Sequence, residues 1–174
     1  MSSTFDDQDL DQLFAGNGVV ELLFDESDRP RLEAAIGRLL LAHNQLEQIL
    51  LWIRKSAGVG PNDPDFKRFA RESFRDKAKF LRKTVVPEID PLHQGDADAL
   101  FDRILAVTRV RNLAAHGWAP EDPDEGAPPG AALLGVDFKG SVASLTVEEI
   151  ESAGADAVDL CWRLPNFLVA FDYL

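Results

Sequence analysis

SDRPRLEAAIGRLLLAHNQLEQILLWIRK, residues 27–55, is the stretch that decides the fold class. Ser27 or Asp28 supplies an N-cap, and Pro30 fits the first helical turn, where a missing N–H costs nothing. From there Ile36, Leu39, Leu40, Leu46, Leu50 and Ile53 recur at helical spacing, and Gly58 and Gly60 stop the pattern just beyond Lys55. The spacing predicts one long helix, whose apolar side has to be buried against other helices. His43, Asn44 and Glu47 interrupt that apolar side with polar groups.

The same signals recur downstream. Asp63-Pro64 opens a second predicted helix, in which Phe66, Phe69, Ala70, Phe74 and Leu81 keep the period until Pro87. Asp96 or Asp98 can cap a third, with Leu100, Ile104 and Val107 as its core positions and Gly117 and Pro120 as its stop. Residues 117–131 hold four prolines and three glycines, a solvated loop by composition. Residues 132–145 read as a small hairpin around Lys139-Gly140. Thr146 and Glu149 then form a capping box for a last helix from Val147, with a bend expected at Pro165. Residues 1–26 read as an N-terminal arm with at most a short helix over Asp6 to Ala15. The economical architecture is all-α: a four-helix bundle over residues 27–174, with a small β-hairpin before its last helix.

Composition bounds the function. A chain of 174 residues, 45% hydrophobic and 28% charged, is one domain with a single sizeable core. The lone cysteine, Cys161, excludes an internal disulfide and a cysteine-rich zinc site, and three scattered histidines make no metal-ligand spacing, so no metal and no cofactor are expected. No apolar run is long enough to span a bilayer and the N-terminus lacks a basic leader, so a cytoplasmic protein without a membrane segment is the expectation. The net charge of −12 argues against indiscriminate binding to nucleic acid, yet it averages over a strong asymmetry. Eight basic and two acidic residues lie between Phe66 and Lys83, a local net of +6 that leaves the rest of the chain at −18. Within that run Lys67, Arg71, Arg75, Lys79 and Lys83 recur every four residues as one stripe. Such a stripe is a solvated face, a mate for acidic surface elsewhere, or a strip for a phosphate backbone. Phe74 and Phe80 read as core.

The segment with chemistry to explain is Arg111-Asn112-Leu113-Ala114-Ala115-His116-Gly117. Arg111 continues the stripe of Leu100, Ile104 and Val107, so it must snorkel or meet an acid. Glu47, with Asn44 beside it, is the expected partner across the bundle, either as a structural pair fixing helix register or as part of a site. His43 reads as a satisfied core histidine and His93 as an exposed loop residue. His116 lies five positions after Arg111, about 140° around a regular helix, so the two would diverge on one chain. Asn112, four before His116, shares its face, and a site built from two protomers would suit this geometry.

Arg-Asn-x-x-Ala-His-Gly at the end of the third helix of a small bundle resembles the Arg-x4-His signature of the HEPN superfamily. Arg111 and His116 match the signature residues, and Asn112 matches the polar residue that often follows the arginine. The resemblance implies a HEPN-like bundle and a metal-independent endoribonuclease of defence or stress systems, toxin-like, acting as a homodimer with both motifs in one cleft. It implies that His116 is the general acid or base while a ribose 2′-hydroxyl attacks the adjacent phosphate, and that Arg111 stabilises the phosphorane oxygens. Asn112, Glu47 and Asn44 would support them, and Lys67, Arg71, Arg75, Lys79 and Lys83 would hold single-stranded RNA. The product would be a 2′,3′-cyclic phosphate, and an antitoxin or other regulatory protein is an expected partner. One toxin branch extends the motif to a tyrosine two residues beyond the histidine; Trp118 stands there and lacks a phenolic oxygen. The alternative implied by the same resemblance is a catalytically silent module that binds a nucleotide or a protein.

Overall fold

The computed structural model describes residues 28–117, 131–136 and 142–170. They form α1 (Arg29–Ser56), α2 (Pro64–Arg71), α3 (Phe74–Val85), a 3-10 turn (Val86–Glu88), α4 (Gln94–His116), β1 (Leu133–Val136), β2 (Val142–Leu145) and α5 (Val147–Ala170). The fold is mostly helical, with an antiparallel hairpin before the last helix, as the sequence leads one to expect. The arm (1–26), most of the loop (118–130), Trp118 and the Lys139-Gly140 turn lie outside the described residues.

Helix α1 runs unbroken because no proline follows Pro30 within it and packing outweighs the single Gly37, and it buries Leu32, Ala35, Leu39, Ala42, Leu46, Leu50 and Ile53 along one side. These positions advance by threes and fours, the spacing that holds one face toward a partner helix. Helix α5 lies along that face, α4 packs against α5 and α3, and the hairpin rests on α4. Leu39, Leu46, Leu50 and Ile53 are fully buried, each worth roughly 1.5–3 kcal/mol of transfer free energy. Ion pairs stitch the outside. Arg31 holds Glu148 and Glu151 across α1 and α5, Arg103 holds Asp156 and Asp159 across α4 and α5, and Arg82 holds Asp98 and Asp102 across α3 and α4.

Four local expectations need correction. The second predicted helix is two helices, α2 and α3, separated at Glu72-Ser73, so five α-helices are described rather than four. Glu72 is extended, and the Ser73 hydroxyl accepts the amide of Asp76 at 3.2 Å while donating to its carboxylate at 2.6 Å, which starts a new helix. Helix α4 begins at Gln94 with His93 as its N-cap residue, so Asp96 sits in the first turn instead of capping, and His93 is half-buried rather than exposed. Phe80 is exposed, with the Arg54 guanidinium 4.9 Å above its ring, while Phe74 is buried. The capping box is present: Thr146 donates its amide to Glu149 at 2.8 Å and its hydroxyl accepts the Glu149 amide at 3.2 Å. Helix α5 continues through Pro165 as one element.

The hairpin pairs Leu133 with Leu145 and Leu134 with Ser144. Its position explains Gly117. A Cβ there would stand 2.5 Å from the Leu113 carbonyl oxygen and 2.6 Å from that of Leu134, both backbone atoms. The last residue of the Arg111–Gly117 segment is therefore glycine because β1 crosses the end of α4 at that point.

Candidate functional site

A cavity of about 550 Å³ opens where α1, the start of α3 and the last turns of α4 meet. Helix α1 contributes His43 and Glu47, the α2–α3 junction and first turns of α3 contribute residues 72–76 and Lys79, and α4 contributes Thr108, Arg111 and Asn112. Each is there for a local reason. His43 and Glu47 are one turn apart on α1, the break at Ser73 brings a helix N-terminus to the rim, and Thr108 and Arg111 are one turn apart on α4.

Arg111 is half-buried; one of its terminal nitrogens donates to Asn112 Oδ1 at 3.0 Å, and its Nε is buried without a partner among the described residues. The expected Arg111–Glu47 pair is not formed. Glu47 accepts instead from Lys77 Nζ at 2.6 Å, where the lysine side chain is 4% exposed and the glutamate 31%. Lys77 belongs to the basic run, but its place on α3, one turn beyond Ser73, turns it inward; a buried ammonium takes the nearest carboxylate, and Glu47 is that group. Arg111 and Glu47 still line the same cavity. Asn44 is exposed and is not among the lining residues.

His43 lies in the core as the sequence suggests, but it is not a satisfied histidine. It is 3% exposed, its ring lies tilted against that of Phe74 with centroids 4.0 Å apart, and neither ring nitrogen has a hydrogen-bond partner among the described residues. Burial pushes its pKa down to about 4, the nearby Arg111 charge adds to the fall, and Glu47 opposes it. The imidazole is thus neutral at pH 7, with one donor and one acceptor nitrogen, both buried, on a side chain that lines the cavity. The signal was present in the sequence, because His43 falls on the Leu39, Leu46 and Leu50 stripe.

His116 is the final residue of α4 and is exposed; it does not line the Arg111 cavity. Because α4 runs unbroken to that residue, Arg111 and His116 diverge as their spacing requires. The basic residues are divided between two helices. Lys67 and Arg71 are exposed on α2, and Arg75, Lys79 and Lys83 are exposed on α3, so the single four-residue stripe is interrupted at Ser73. Of these five, Arg75 and Lys79 line the cavity. Arg82 and Arg68 are engaged by acidic neighbours, Arg68 by Asp65 at 3.0 Å.

Among the described residues no cluster of three or more His, Cys, Asp or Glu could hold a metal ion, and no helix is long and apolar enough to cross a membrane. Comparison with protein-family models, with curated proteins and with solved structures found no match.

Proposed function

We propose that the chain is an endoribonuclease of the HEPN type, working as a homodimer in defence or stress, with a site made from Arg111 of one protomer and His116 of the other. The observation that carries this reading is the end of α4. Asn112 holds the Arg111 guanidinium at an open cavity, and His116 stands exposed one turn beyond Asn112, free to face another molecule. The two diverge on one helix, so bringing both to one phosphate calls for a second copy.

In that arrangement an imidazole nitrogen takes the ribose 2′-hydroxyl proton, the 2′-oxygen bonds to phosphorus, and the bond to the 5′-oxygen breaks as that oxygen gains a proton. The product is a 2′,3′-cyclic phosphate, and a guanidinium fork balances the charge on the phosphorane oxygens. Arg75 and Lys79 at the rim, with Lys67, Arg71 and Lys83 beyond, supply positive charge along which single-stranded RNA could run. Purified protein should cut single-stranded RNA in EDTA and leave cyclic phosphate ends, and His116→Ala should not. Intact RNA with the wild type, or equal cutting by the variant, defeats the proposal.

One observation favours a second reading, a non-catalytic module for a nucleotide or a protein partner: His116 stands outside the cavity that holds Arg111. The same assay separates the two readings, and an antitoxin-like regulator is compatible with either.

A further inference from the structure

The outer side of the α1–α5 pair carries apolar surface that folding would be expected to cover. Seven large hydrophobic side chains are exposed among the described residues, and five of them stand on these two helices: Leu41 and Trp52 on α1, and Val158, Trp162 and Val169 on α5. The helices run parallel, since Arg31 meets Glu148 and Glu151 near their starts and the Ala42 carbonyl meets Cys161 further along. Leu41 and Val158 line one groove of about 350 Å³ between them, with the buried Ala35, Ala42 and Gly154 as its floor. Trp162 lies one turn beyond Val158 and is 71% exposed. Contiguous apolar surface on a folded domain marks a place of contact. It is not the cavity at Arg111: Leu41 and Gln45 stand two residues, about 200° of helix, before His43 and Glu47, so covering the groove leaves the end of α4 open.

The chain supplies an occupant. Residues 19–24, Val-Val-Glu-Leu-Leu-Phe, hold five large apolar side chains in six positions, and only four residues separate them from the start of α1 at Arg29. Lengths match: four extended residues span about 13 Å and six more about 20 Å, while the groove runs from about 9 Å (Ala35) to about 24 Å (Gln45) along α1. A segment tethered this close meets the groove at an effective concentration that a separate molecule rarely reaches. Charge agrees as well. Residues 1–28 contain eight acids and no base, and Arg38 at the groove, with a side chain 68% exposed and 3.9 Å from Glu151, is held loosely enough to meet Glu21 or Asp25. With one charge in six positions, residues 19–24 suit an apolar groove better than the basic strip of α2 and α3. We infer that residues 19–24 fold back over the α1–α5 groove, Leu22 and Leu23 against Leu41 and Val158, and Val19 and Val20 reaching Trp162.

The inference holds whether or not the chain cuts RNA, and Trp162 reports on it in the full chain. With Trp52→Phe and Trp118→Phe leaving Trp162 as the sole tryptophan, acrylamide should quench its fluorescence several-fold less than in the urea-unfolded chain, at every protein concentration. Leu22→Asp with Leu23→Asp should raise the quenching toward the unfolded value while the helical circular dichroism is kept, because a charge does not stay in an apolar groove. Val19→Ser with Val20→Ser, a milder pair placed nearest Trp162, should raise it too. Quenching in the folded chain as free as in urea overturns the inference, as does shielding that the serine pair leaves in place. Shielding that fades on dilution gives the face to a second copy of the chain and overturns it as well.

Discussion

At the scale of single residues, the Arg111–Gly117 segment separates into groups with different jobs. Gly117 is steric: two backbone oxygens within 2.6 Å of a would-be Cβ leave no room for any side chain. Gly117→Ala is therefore expected to lower stability by about 1–3 kcal/mol, the usual cost of overpacking, as read from urea unfolding. An unchanged midpoint would mean that β1 does not press on the end of α4. Arg111 is held by its neighbour Asn112 rather than by the acid that its place on an apolar stripe called for. His43 makes the chain acid-sensitive. Its imidazole takes up a proton near pH 6.5 when unfolded and only near pH 4 when folded, so between those values the unfolded chain binds more protons. Its contribution is present in full above pH 6.5 and lost as pH falls toward 4, by up to roughly 3 kcal/mol at the bottom of that window. His43→Leu should flatten this part of the stability-versus-pH curve. A curve of the same slope in the variant would assign the acid sensitivity to other groups.

At the scale of elements, the sequence is most legible where helix starts are marked and least legible where tertiary contacts choose partners. The long α1, the hairpin and the Thr146–Glu149 box all follow from spacing and turn chemistry. The break between α2 and α3 was also written in the sequence, as Ser73 followed three residues later by Asp76, but an apolar period that continues across it masks the signal. Ser73→Ala should cost about 1 kcal/mol by removing that cap, measurable by thermal or urea unfolding. What spacing could not give is which acid meets which base. Spacing pointed Glu47 at Arg111, and the pairing with Lys77 follows from α3 turning its lysine inward after the new start at Ser73. Lys77→Met should destabilise by about 3 kcal/mol, because Glu47 is left half-buried without a partner, and adding Glu47→Leu should recover much of the loss. Additive losses in the double variant would show that the pair is not coupled.

At the scale of the whole molecule, a chain with net charge −12 concentrates eight of its 18 basic residues on α2 and α3, and one cavity draws on two of their exposed residues, Arg75 and Lys79. The candidate site was legible in part: Arg111, Asn112 and Glu47 do come to one cavity, as does Lys79, while His43 was passed over because a histidine on an apolar stripe reads as core. His116 was placed at the end of a helix before Gly117, where the structure has it, but what it faces was not legible, since the residues beyond Gly117 belong to a loop whose composition carries no periodicity. The central claim is that catalysis needs Arg111 from one copy and His116 from another. Two inactive proteins, Arg111→Gln and His116→Ala, should therefore regain cleavage when their subunits are exchanged. Half of the randomly mixed dimers carry one intact site, so about a quarter of wild-type activity on single-stranded RNA in EDTA is the predicted result. A mixture that stays inactive after verified exchange, while the wild type cuts, would contradict the shared site, and a wild type that leaves RNA intact would contradict the enzyme.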